Sequence, residues 1–304
     1  MTATLSLGIY LLHGLLLPPI LVGFIRMAKA RIQQRRGPSL FQPFFDLAKL
    51  FRKGETVSET TTWVFRWAPV ANLASLGAIA LMTPWLGIAS PIPGDLFLLI
   101  YLLALGKFAI GLAALDTGSA FGAIGASREA AVSVQSEPAM VMGLAALAVL
   151  ARTSSLQGML TPGHGGDVMV VIVPLVLIAL WLAVTAELAR MPFDDPTTHL
   201  ELTMIHEALI LENSGRNLAL IEYGVALKTT LLLGLVAQVV LLAWPPLPMA
   251  VRYGATLACM GGAAALVAVA ESVLVRLRWR RIPSLLSFAL AAGVLACLVV
   301  AVRG

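Results

Sequence analysis

Charge is scarce in this sequence. Only 12% of its 304 residues are Asp, Glu, Lys or Arg, whereas 59% are hydrophobic and the mean hydropathy is +0.90. Soluble domains carry about 25% charged residues, so a water-soluble globule fits poorly and an integral membrane protein is indicated. Cysteine is almost absent. Cys259 and Cys297 both lie in apolar runs, cannot supply the four thiolates an iron–sulfur cluster usually needs, and imply no disulfide framework. No Lys or Arg precedes Arg26, so the positive start of a signal peptide is missing and the first apolar run is expected to be a span. Fixed-period repeats, low-complexity tracts and a second soluble domain are also missing. The formal charge of +5 is no nucleic-acid footprint, because the basic residues sit beside apolar spans rather than along one polar face.

What is present is a series of long apolar stretches. A bilayer core of roughly 30 Å takes about 20 residues of helix, and eight stretches qualify: 5–25, 68–89, 95–115, 124–151, 167–189, 216–243, 250–277 and 283–302. The expected fold is therefore an all-α, polytopic membrane protein, a single membrane domain over 1–304 with amphipathic helices in its connecting loops. Seventeen of the 21 Lys and Arg residues fall after odd-numbered spans, three (Arg152, Arg252, Arg303) on the other side and Lys228 within span six. The positive-inside rule then puts the odd-numbered loops in the cytoplasm and both termini outside.

Three of those cytoplasmic loops hold chemistry. In the first, Gly37-Pro38 makes a turn and "SLFQPFFDLAKLFRK" follows with apolar residues at near-helical spacing, which fits an amphipathic helix along the inner membrane surface. In the next, "GAIGAS" follows no strand, so it is no dinucleotide fingerprint, and its small residues suggest a tight re-entrant turn. The last is the richest. Between Glu187 and Glu222 lie Glu187, Asp194, Asp195, Glu201, Glu207, Glu212 and Glu222, seven of the chain's 16 acids. Here Pro192 and Pro196 bracket a turn, Thr198 and Glu201 have capping-box spacing, and Leu202, Ile205 and Leu209 would share the apolar face of a short amphipathic helix. His199 and His206 stand two turns apart, and "HEALI" lacks the second histidine of a zinc hydrolase.

Ionisable groups also fall inside the spans: Lys107, Glu137 with Pro138 beside it, Glu222, Lys228 and Glu271. Such groups are costly in a membrane, so they mark either a charge-relay path or ion pairs that fix helix packing, and the cost of burial favours the first. With helices packed so that these groups face inward, they would form a ladder from the cytoplasmic surface to the midplane.

The segments "RRGPSLFQPFFDLAKL", "LDTGSAFGAIGASRE" with "SEP", and "AELARMPFDDPTTHLELTMIHEALILENSGRNLALIE" resemble the family of membrane subunit 1 of respiratory complex I, to which subunit 4 of formate hydrogenlyase is similar. With eight spans, the resemblance covers nearly the whole chain. Only "SLF" separates Pro38 from Gln42, and "MPFDDPTTHLEL" replaces the "APFDLPEAESEL" type of complex I. Both features are similar to membrane subunits of group 4 nickel–iron hydrogenases and weigh against a quinone chamber. The resemblance implies a subunit without a redox centre of its own, the nickel–iron and iron–sulfur centres belonging to partners. It implies partnership with hydrogenase-like large and small soluble subunits and with antiporter-like membrane subunits in a prokaryotic cell membrane. It further implies a coupling role for Lys107, Glu137, Glu187, Asp194, Asp195, Glu201, Glu207, Glu212, Glu222, Lys228 and Glu271, and a docking role for Arg35, Arg36, Gln42, Asp46, Lys49, Arg128 and Arg190.

Overall fold

A computed structural model describes residues 3–163, 166–194 and 205–303. In chain order its α-helices are α1 (Ala3–Ile32), α2 (Gln42–Arg52), α3 (Trp63–Met82), α4 (Leu96–Asp116), α5 (Ala120–Ala151), α6 (Leu156–Met159), α7 (Met169–Glu187), α8 (His206–Ile210), α9 (Gly215–Leu241), α10 (Met249–Val273) and α11 (Ile282–Arg303). Eight of these, all but α2, α6 and α8, are long and apolar enough to cross a membrane. Even the shortest, α7 with 19 residues, reaches roughly 28 Å at 1.5 Å per residue. No strand occurs among the described residues.

Helix ends follow local chemistry. Thr62, Asp95 and Ser119 each place a side-chain oxygen on a free N–H at the start of α3, α4 and α5, the usual role of such residues at N-caps. Asp116, at the end of α4, also accepts from Thr62 N at 2.7 Å and Thr62 Oγ1 at 2.9 Å, which ties α4 to the start of α3. The second span differs from the expected 68–89. Its helix ends at Met82, and residues 83–89 form a plug, buried as far as Ile88, in which Trp85 and Leu86 are fully enclosed. Gly87 turns the plug with φ +74, and a Cβ there would collide with Thr256 Oγ1.

The interior is built around α9, most of whose residues are buried. It packs against α3, α1, α10 and α7 and carries the surface helix α2, while α5, α7 and α11 form the other side of the bundle. Leucine, valine and alanine from both sides make one continuous core. The outward faces carry Leu11, Leu15, Phe97, Tyr101, Phe108 and Val302, which suits contact with lipid or with neighbouring membrane helices.

The "GAIGAS" stretch makes no re-entrant turn. It forms the first turns of α5, and its glycines serve close packing: Gly122 lies on the Ala114 carbonyl, and a Cβ on Gly125 would come within 2.9 Å of the Leu209 backbone nitrogen. Small residues here let α8 seat directly against α5. The amphipathic helix after Gly37-Pro38 is present as α2, with Pro43 buried and Phe41, Phe45 and Phe51 exposed.

Candidate functional site

Four charged groups, Lys107, Glu137, Glu187 and Lys228, converge where α4, α5, α7 and α9 meet. Glu187 closes α7 with its side chain only 2% exposed. Lys107 of α4 donates to its Oε2 at 2.8 Å and also bonds Glu137 Oε1 at 2.5 Å and Ser133 Oγ at 3.0 Å, both on α5. Lys228 of α9 sits 2.7 Å from Glu187 Oε1 and donates to the Glu187 backbone oxygen at 3.0 Å. Glu187 is thus a bridge between two ammonium groups that come from different helices. Opposite charges at this separation in a poorly hydrated interior attract strongly, and each would be very costly alone.

Beside this cluster lies a cavity of about 50 Å³, lined by Lys107, Glu187, Lys228, Glu129, His206 and Asn72 with apolar neighbours. That space is enough for a few waters, and its polar walls supply partners for them. Glu129, Ser133 and Glu137 recur at four-residue spacing and so share one stripe of α5, which brings Glu129 into the same site. The sequence reading passed over Glu129 although that spacing was there to be read. His206, in the short α8, closes the cavity from the loop side. Burial, reinforced by the charges of Lys228 and Arg190, pulls its imidazole down to about 4, so it is neutral near pH 7.

A second cluster is centred on α10. Glu271 of α10 is also 2% exposed at its side chain and is held by Arg190 at 2.7 Å and Lys29 at 3.1 Å. Asp194 forms a third, pairing with Arg276 at 3.1 Å while its Oδ2 accepts the backbone N–H groups of Ile205 and His206 at 3.2 and 3.3 Å. Asp194 therefore pins the entry of α8.

These observations locate the chain among known proteins. The profile of the family described as NADH dehydrogenase matches residues 5–302. The chain belongs to that family, the family of complex I subunit 1. Within the family it is 34% identical over 226 residues to hydrogenase-4 component C of Escherichia coli (strain K12), covering 73% of this chain and 70% of that protein. It is also 34% identical over 218 residues to formate hydrogenlyase subunit 4 of the same organism, covering 71% of this chain and 70% of the relative. A solved chain of the membrane-bound sulfane sulfur reductase, an archaeal respiratory membrane complex, superposes with a TM-score of 0.82 over 99% of this chain and 100% of that one. At 18% identity that likeness is one of fold. The protein is thus a multi-pass membrane subunit of complex I type.

Not all the sequence-selected residues of this family member gather at one site. Lys107, Glu137, Glu187 and Lys228 come together, and Glu271 and Asp194 join neighbouring pairs. Glu207 lies in α8, Glu212 is exposed just after it, and Asp195 and Glu201 lie outside the described residues, as do His199 and the expected capping box at Thr198. Glu222 turns away from the cluster and lines a cavity of about 230 Å³ between α1, α2 and α9, with Pro19, Val22, Arg26, Asp46 and Leu50. Of the expected docking residues, Arg35, Arg36 and Lys49 are exposed, Gln42 bonds Asp46 at 2.9 Å, and Arg128 is half-buried. Arg190 is no surface residue: its bond to Glu271 draws it inside. Lys29 and Arg276, read from the sequence only as topology charges, are the partners of Glu271 and Asp194.

Proposed function

We propose that this family member is the membrane anchor and coupling subunit of a hydrogenase-type redox complex. In this reading it sits in a prokaryotic cell membrane with both termini outside. It docks hydrogenase-like large and small subunits, which carry the nickel–iron and iron–sulfur centres, through its cytoplasmic loops. It passes the energy of their chemistry to proton or sodium movement in antiporter-like subunits. The similarity to hydrogenase-4 component C and formate hydrogenlyase subunit 4 supports that setting.

One observation carries the coupling role. Glu129 and Glu187 line the cavity and Glu137 pairs with Lys107 of its wall, so three carboxylates face two ammonium groups, Lys107 and Lys228. Burying the odd negative charge is expensive, and binding one proton removes that cost. The proton need not stay on one acid. Lys107 reaches Glu137 and Glu187 at once, so protonation of either leaves the ammonium with the other. His206, neutral at working pH, and water in the cavity offer a route toward α8 and the redox module. Glu137 keeps 29% of its side chain exposed on a membrane-spanning helix, and such a carboxylate calls for polar cover from a neighbouring membrane subunit.

The test uses the assembled complex. Glu129→Gln and Glu137→Gln are expected to assemble in normal amount but to lose turnover or ion pumping, read as ΔpH-dependent dye quenching in inverted vesicles. Complex lost in proportion to activity would assign these groups to packing. Normal assembly, turnover and pumping in both would refute the relay.

A second reading is a quinone-chamber subunit of a complex I-like dehydrogenase. The cavity of about 230 Å³ between α1, α2 and α9 favours it. Inhibitor-sensitive quinone reduction by the purified complex, abolished by filling that cavity with Val22→Trp, would decide for it.

A further inference from the structure

At the opposite end of the bundle from the acid cluster lies a cavity of about 210 Å³, lined by Gly87, Ala89, Gln157, Thr161, Met249 and Arg252 among others. Arg252 stands in the first turn of α10. Every other interior cation described above has a carboxylate, whereas no carboxylate among the described residues pairs with this one. Its Nη2 donates to neutral acceptors, the Leu160 carbonyl at 2.6 Å and Gln238 Oε1 at 3.0 Å. Its Nε is enclosed and has no partner. Arg252 itself lines the cavity.

The walls are built rather than incidental. Gln238 is fully buried and donates to Thr256 Oγ1 at 3.0 Å, and Thr256 donates to the Arg252 carbonyl at 2.8 Å. The plug at 83–89 is fixed from below by Tyr10, whose hydroxyl donates to the Ile88 carbonyl at 2.9 Å. Gln157 Oε1 accepts from Ser90 N at 3.1 Å and holds the loop against α6. A guanidinium oriented by neutral groups on one edge and left without a counter-charge on the other is a receptor for an oxyanion. Around it Trp244, Met249 and Val251 expose apolar side chains, as residues at a membrane–water interface do.

We infer that Arg252 and this cavity bind a phosphate-class anion, supplied by the headgroup of an acidic phospholipid whose chains run beside Met249 and Val251. The binding is independent of the coupling reading and needs no redox activity for its detection. The assembled complex, stripped of lipid by detergent exchange, is titrated with dioctanoylphosphatidylglycerol, with dioctanoylphosphatidylcholine and with inorganic phosphate, and the thermal midpoint is followed. Phosphatidylglycerol is expected to raise the midpoint. Arg252→Gln should weaken half-saturation by about tenfold or more, the scale of one hydrogen bond to a charged group, while Arg252→Lys keeps part of the effect. Ala89→Glu, at an exposed position on the cavity wall, supplies the missing carboxylate without touching Arg252 and should abolish the response in a complex of normal yield. Competition by millimolar phosphate with the same variant pattern supports the oxyanion site and moves its source from lipid to solvent. An equal response to phosphatidylcholine, or one unchanged in both Arg252→Gln and Ala89→Glu, overturns the inference.

Discussion

Replacing Glu187 by Gln removes the carboxylate that two ammonium groups share. Lys107 and Lys228 stand 2.8 and 2.7 Å from its oxygens, and at an effective dielectric of about 20 each pair has a Coulomb energy of roughly 6 kcal/mol. Desolvation offsets much of that, and removing one partner of a buried pair costs about 3–5 kcal/mol. The two lysines do not suffer equally. Lys107 keeps Glu137 and Ser133 as hydrogen-bond partners, whereas Lys228 keeps one backbone carbonyl and the more distant charge of Glu129. Most of the cost is therefore the charge stranded on Lys228, and Lys228→Met in the same chain removes it. The double variant is expected to be more stable than the sum of the two single losses by about 2 kcal/mol, within the usual range for residues in contact. The assay is a double-mutant cycle on denaturant unfolding of the detergent-solubilised complex. Additivity within about 0.5 kcal/mol would refute the bridging role of Glu187.

Other outcomes follow from single residues. His206 has its imidazole held near 4, below its ordinary 6.5, so the folded state resists a proton that the unfolded chain accepts. Stability should fall as pH drops from about 6.5 toward 4, and His206→Gln should flatten that part of a stability-against-pH curve; an unchanged slope would show that another group sets it. Gly125→Leu places bulk where even a Cβ meets the α8 backbone at 2.9 Å and should cost about 1–3 kcal/mol by overpacking, read as lower complex yield and a lower thermal midpoint, with no loss if α8 is not seated there. Ala189 has φ +47, so Ala189→Gly should be neutral or stabilising by up to about 1 kcal/mol, and a marked loss would count against this backbone. A cysteine at Gly163 in a cysteine-free chain should react with an impermeant thiol reagent from outside while one at Ser58 should not, and the reverse pattern would invert the orientation.

The membrane fold was legible because length and apolarity are local properties, and each of the eight apolar stretches meets one long helix. The end of the second was not legible, because 83–89 is as apolar as a span but is broken by Pro84 and by a glycine that must adopt positive φ. "GAIGAS" was misread because small residues permit a tight turn and a close helix contact equally, and only the position of α8 decides. For the site, sequence could nominate Lys107, Glu137, Glu187 and Lys228 as costly groups, since burial of charge in a span is visible one helix at a time. Which of them share a site depends on how the helices turn toward one another. That is why Glu222, on α9 with Lys228, ends in a different cavity, and why Arg190 is found as the interior partner of Glu271.

The segment that leaves α7 links these parts. Glu187 binds Lys107 and Lys228, Arg190 three residues later binds Glu271, and Asp194 four residues further binds Arg276 and the start of α8. Its turn is closed by Arg190 N donating to the Thr185 carbonyl at 2.9 Å, with Ala189 in the left-handed region, a conformation that costs a non-glycine residue about 1 kcal/mol or more. Strain of that kind persists where surrounding contacts fix the backbone, and here the contacts are the ion clusters themselves. The clusters also differ in sign. Lys29 and Arg190 against Glu271 leave one positive charge in excess, whereas Glu129 and Glu187 of the cavity wall, with Glu137 on Lys107, exceed the two lysines by one negative charge. In the coupling proposed above, a proton taken up by the cavity cluster would remove its attraction for the Arg190 side and loosen this turn. Because Asp194 carries the same turn into α8, that proposal gives a change of one proton at the cluster a short covalent route to the acid-rich loop.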